Sequence, residues 1–153
     1  MNDPYETGRQ FGELFGRFEH VLKRSDYLKK GRPDAQADWD RFAHDLGQTF
    51  FDEVSTSGIA STLINDPPRK LMADGLTWQP PEPEPLRDVA ELFVRGVCRV
   101  RNSYMHGEKF TGGPDGSRWK RDAMLLSEAL AVLELAKKRS ETTISTKLSA
   151  TGQ

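Results

Sequence analysis

A single cysteine in 153 residues, Cys98, excludes an internal disulfide and any multi-thiolate metal site. The three histidines, His20, His44 and His106, have no close pairing, so neither a zinc enzyme nor any other metal or cofactor is expected. No apolar run approaches the roughly 20 residues of a membrane span. The opening MNDPYETGRQFGE has no charged-then-apolar leader pattern. These absences predict a cytoplasmic protein without membrane contact. With 36% apolar and 29% charged residues, the chain lies well above the disordered regime, and its length suits one domain.

The net charge of −1 hides an asymmetry. Residues 1–85 carry 10 basic and 15 acidic side chains, residues 86–121 carry 8 and 4, and the remainder balances. A basic segment in a near-neutral chain marks either a phosphate-binding surface or merely a solvated helix face.

Apolar spacing predicts four helices in an all-α, up-down bundle. The first carries Phe11, Leu14, Phe15, Phe18, Val21 and Leu22, and Gly31-Arg32-Pro33 stops it. Gly8, Gly12 and Gly16 sit four apart in this helix, either as a cost of about 1 kcal/mol each or as a close-contact strip. Asp34 is the expected N-cap of a second helix through Phe51, with Trp39, Phe42, Ala43, Leu46 and Phe50 on one side. Residues 54–85, with Asn65-Asp66-Pro67-Pro68 and the run PPEPEP, predict a long irregular connection between the second and third helices. It would hold a short helix near Ile59–Ile64, and Leu71, Leu76 and Trp78 would pin it to the body. A third helix runs from Leu86 to His106, where Gly107 is the stop. After a Gly/Pro loop, a fourth runs from Arg118 to Arg139 around Ala123, Leu126, Ala129, Leu130, Leu133 and Ala136. Residues 141–153 are Ser/Thr-rich and expected to form a flexible tail.

On the third helix, at about 100° per residue, Leu86, Val89, Ala90, Phe93, Val97, Val100 and Tyr104 share one core stripe. Arg95, Arg99, Asn102 and His106 form a polar ridge on the opposite side. Val94, Cys98 and Met105 lie between, a surface for a dimer partner or for the last helix. Arg101 sits on the core shoulder, where a guanidinium needs an anion. Glu19, on the shoulder of the first helix, is one candidate, and a substrate phosphate, suited to the planar fork, is the other. His106 is either a C-terminal cap or a catalytic group able to titrate near neutrality.

The run Arg101-Asn102-Ser103-Tyr104-Met105-His106-Gly107 resembles the signature of the HEPN superfamily: an Arg, a polar residue, and a His after four intervening positions. His106-Gly107-Glu108-Lys109 resembles the ending common in bacterial members. FGRFEHVLKRSDYL (15–28) is similar to their first helix, and Arg121-Asp122-Ala123-Met124-Leu125-Leu126 to the start of their last. The resemblance implies residues 1–140 as a HEPN-like domain and a homodimer that brings two Arg–His pairs into one cleft. The implied activity is metal-independent cleavage of RNA, as in toxins and phage-defence proteins, with an antitoxin or regulatory protein as a further partner. Arg101 would stabilise the phosphorane charge, His106 would move a proton, and Asn102 would support them. Glu19 and Tyr104 are supporting residues. Arg95, Arg99 and Lys109 would bind substrate, and Arg118, Lys120 and Arg121 would add to the basic field. Glu108 stands where an AMP-transferring branch carries Tyr, which argues against that activity. The alternatives are a non-catalytic module that binds a nucleotide or a protein, and a plain structural bundle in which Glu19 satisfies Arg101.

Overall fold

The computed structural model describes residues 4–105 and 117–140. His106, Gly107, Glu108, Lys109, most of the Gly/Pro loop and the 141–153 tail lie outside them. So do the side chains of Arg118 and Trp119. Among the described residues the fold is all-α apart from one two-residue antiparallel pair.

Helix α1 (Pro4–Arg24) buries Phe11, Phe15, Phe18, Val21 and Leu22, the stripe its spacing predicts. The chain then reverses through a short bridge between Leu28 and Ala37, tied by Lys29 N–H to Gln36 O and Asp38 N–H to Tyr27 O. The N-cap of the next helix is Asp38, whose carboxylate accepts from Arg41 N–H at 3.1 Å. Asp34 instead accepts from the Gln36 side chain. The expected second helix is two: α2 (Trp39–Leu46) and α3 (Gln48–Ser57). Gly47, at φ 88°, breaks it in a backbone region open to glycine. Gly58 closes α3 in the left-handed conformation, as helix ends commonly do.

The connection is more ordered than its composition suggests. It holds α4 (Ser61–Asn65) and the pair β1 (Lys70–Leu71) with β2 (Trp78–Gln79). Leu76 does not pin it, being 70% exposed at the hairpin tip. Arg121 does instead: its guanidinium donates to the Asp66 carboxylate at 2.5 Å and to the carbonyls of Asp66 and Pro67. Glu128 accepts from Leu63 N–H at 2.8 Å, satisfying a donor at the start of α4 that has no intrahelical partner. Arg139 grips Glu53 through two nitrogens. All three belong to α7 (Ser117–Arg139), so the last helix ties down the 53–67 stretch along its length.

The third helix begins at Val89, capped by Asp88 accepting from Glu91 N–H, while Leu86 is buried ahead of it. It runs continuously through α5 (Val89–Glu91), a π-helical stretch (Leu92–Val97) and α6 (Cys98–Met105). Leu92, Phe93, Gly96 and Val97 on this wider stretch are all buried in the core. Gly96 is small because Leu86 and Leu63 pack against it; an added Cβ would sit 3.1 Å from Leu86 Cδ1. Phe93 and Trp39 organise the aromatic centre. Trp39 stacks on Phe15 at 4.8 Å and on Phe93 at 5.9 Å, and Phe93 also meets Phe42 and Phe50. Each such ring contributes about 1.5–3 kcal/mol by burial, and together they lock α1, α2, α3 and the π stretch. α7 closes the core with Leu125, Leu126, Ala129, Val132, Leu133 and Ala136. No helix among the described residues is long and apolar enough to cross a membrane.

Candidate functional site

Tyr104 and Arg101 bring the α6 segment against α1. Tyr104 lays its ring directly over Gly8, where any Cβ would overlap the ring. Of the three glycines, Gly8 alone serves close contact; nothing stands within 4 Å of a Cβ at Gly12 or Gly16.

Arg101 makes the second contact. Its guanidinium carbon lies 5.4 Å from the centroid of the Phe15 ring, a cation–π arrangement worth about 0.5–1 kcal/mol at an exposed site. Nη2 is 4.0 Å from Glu19 Oε1, and Nη1 donates to Asn102 Oδ1 at 3.4 Å. The side chain is 38% exposed. Both open accounts of this residue thus meet in one geometry. Glu19 is its carboxylate neighbour, but at the outer limit of an ion pair, where a partly exposed contact is worth about 0–1 kcal/mol. A guanidinium carries five donors, and among the described residues two polar contacts engage this one.

Cys98 stands one turn before Asn102. Burial, with the Glu19 charge adding to it, pushes its thiol up to about 12, so the reactive thiolate is absent near neutral pH.

The ridge residues differ among themselves. Arg95 is 3.3 Å from Glu91 Oε2. That carboxylate is shared with Arg87, whose side chain and backbone N–H both donate to it and hold Glu91 below the usual carboxylate range. Arg99 is partly buried, and among the described residues it has no carboxylate or other acceptor. Asn102 is exposed between Arg99 and Arg101 around the helix. Lys120 is exposed, and Arg121, expected in the basic field, is committed to Asp66. His106 and Lys109 fall outside the described residues.

Phe15 and Glu91 had no functional role on sequence grounds. Phe15 looked like one member of a core stripe, and nothing in local spacing pairs it with a residue 86 positions later. Glu91 was findable, since it stands four residues from both Arg87 and Arg95, the spacing at which helix charges meet.

Among the described residues no group of three or more His, Cys, Asp or Glu could hold a metal ion. A groove of about 510 Å³ between α1 and α7, with Glu13, Arg17, Glu134 and Lys137 around Leu14 and Leu130, includes none of the candidate residues. No family model, curated protein or solved structure matches the chain.

Proposed function

We propose that this protein is a homodimeric, metal-independent endoribonuclease of the HEPN type, an up-down helical bundle acting as a toxin or phage-defence component in the cytoplasm. The observation that carries the reading is the setting of Arg101: a partly exposed guanidinium on an aromatic face, with Asn102 bonded to it and, among the described residues, one distant carboxylate. In the dimer, two such corners share one cleft. The RNA 2′-hydroxyl attacks the adjacent phosphorus while the bond to the 5′-oxygen breaks. Arg101 neutralises the charge that builds on the phosphorane, and His106 moves a proton at the attacking 2′-hydroxyl or the leaving 5′-oxygen. The 2′-hydroxyl requirement restricts the reaction to RNA.

The second reading is a non-catalytic dimeric module that binds a nucleotide or protein through the same face; the contact between Arg101 and Glu19 supports instead a plain structural bundle in which Glu19 satisfies Arg101.

Incubation of a total-RNA pool in EDTA with the wild type, His106→Ala and Arg101→Ala tests the first reading. Cleavage by the wild type, reduced about 100-fold or more by His106→Ala, is the expected result. Activity that survives both substitutions, or a wild type that never cuts, overturns it in favour of the module. A scattering mass of one subunit overturns the shared cleft.

A further inference from the structure

Around the 98–105 turns, the cations are not equivalent. Arg101 rests on Phe15 with Glu19 in reach, and Arg95 has the Glu91 carboxylate. Arg99 is partly buried with no acceptor among the described residues, and the like-signed Arg95, one turn back, acts on it. Removing a guanidinium from water without an anion is unfavourable. Burial and the Arg95 charge accordingly hold the Arg99 pKa below its usual range, yet a guanidinium stays protonated. Nothing in the described fold repays this placement. Arg99 and Arg101 stand about 160° apart around the helix axis, with exposed Asn102 between them, so the three form a polar band across α6 rather than along it.

We infer that Arg99 seats a backbone phosphate of the RNA strand that flanks the one engaged by Arg101, so that the strand crosses α6 over Asn102. The inference rests on the ribonuclease reading for the identity of the ligand. Arg95 is secondary: half of a shared carboxylate already faces it, and its effect on binding is smaller than that of Arg99.

The test is binding rather than cleavage. A short fluorescent 2′-O-methyl RNA strand lacks the attacking hydroxyl and cannot be cut by the proposed reaction. Its affinity is measured over a salt series for the wild type, Arg99→Gln, Arg99→Lys and Arg95→Gln, alongside thermal unfolding of each. Losing one phosphate contact lowers the slope of log affinity against log salt by about 0.7 for a single strand. Arg99→Gln should show that loss, Arg99→Lys should restore most of it, and Arg95→Gln should lose less. Because Arg99 has no acceptor among the described residues, Arg99→Gln should melt at or above the wild-type temperature. A lower melting temperature with an unchanged slope would make Arg99 a structural cation and overturn the inference. So would a wild type that does not bind the strand at low salt. Arg99-dependent binding of inorganic phosphate with no change in the strand's slope would also overturn it, assigning a free-phosphate site. A wild type that binds with an Arg99-dependent slope but cuts no RNA sinks the catalytic reading and keeps the phosphate seat. One that cuts RNA with a slope indifferent to Arg99 does the reverse.

Discussion

Alanine at Gly8 and alanine at Gly12 are the same change one helical turn apart, and they should move stability in opposite directions. A Cβ at Gly8 would lie 2.7 Å from Tyr104 Cε2 and closer still to the rest of the phenol end, whereas at Gly12 it meets nothing within 4 Å. At Gly12 only the helix preference remains, and alanine gains about 0.5–1 kcal/mol over glycine. At Gly8 the same gain is set against displacing the Tyr104 ring, an overpacking cost of about 1–3 kcal/mol. The two variants should therefore differ by about 1–3 kcal/mol, or roughly 2–12 °C in melting temperature for a chain of this size. Differential scanning calorimetry of both, with Gly8→Ala/Tyr104→Ala as the relieved double variant, measures the difference. Gly8→Ala should also weaken RNA cleavage, since Tyr104 is three residues from Arg101 on α6. Equal stabilisation by the two alanines would refute the seating of Tyr104 on Gly8 and, with it, the anchoring of α6 on α1.

Glu19→Gln removes the carboxylate that competes for Arg101, so RNA binding at low salt should tighten a few-fold with little change in melting temperature, as expected for a partly exposed pair; weaker binding would mean that Glu19 positions Arg101 instead. Arg121→Ala removes three contacts to Asp66 and Pro67 and should cost about 1–2 kcal/mol, with limited proteolysis shifting into the 66–85 stretch; an unchanged cleavage pattern counts against the clasp. Burial and the hydrogen bond to Asp45 raise the Tyr27 phenol to about 12 from 10.0. The unfolded chain therefore loses this proton first, and stability should fall between about pH 10 and 12. Cys98, raised to about 12 from 9.0, adds a decline with the same sign that starts nearer pH 9. Denaturant titrations of Tyr27→Phe and Cys98→Ala should each flatten part of that slope, and parallel curves for variants and wild type would refute the assignment.

Much of the helical content was legible because burial writes itself into spacing. Phe11, Phe15, Phe18 and Leu22 repeat at three and four residues, and all are buried. Glu19 was legible as the neighbour of Arg101 for the same reason, since both sit on the shoulder of an apolar stripe. The break at Gly47 was not, because Trp39, Phe42, Ala43, Leu46 and Phe50 fit one uninterrupted helix as well as two. Nor was the clasp of Arg121 on Asp66: a basic residue early in a helix looks the same whether it faces solvent or a loop 55 positions away. The site was half legible. Arg101 and Asn102 stood out by pattern, while Phe15 beneath the guanidinium depends on tertiary packing that no local spacing encodes.

The stretch Leu92–Val97 contains one residue more than an α-helical path between the same ends would use, and everything after it inherits that offset. Were the same residues to wind as a regular α-helix instead, the following turns would swing through about 100°. Val100 would leave the interior, Arg101 would lose the Phe15 face, and Arg99 would trade places with a neighbour. The bulge thus works as the phase-setting spacer of the cationic band: it is the wider turn at Leu92–Val97 that keeps Val100 inward and Arg101 on the Phe15 face.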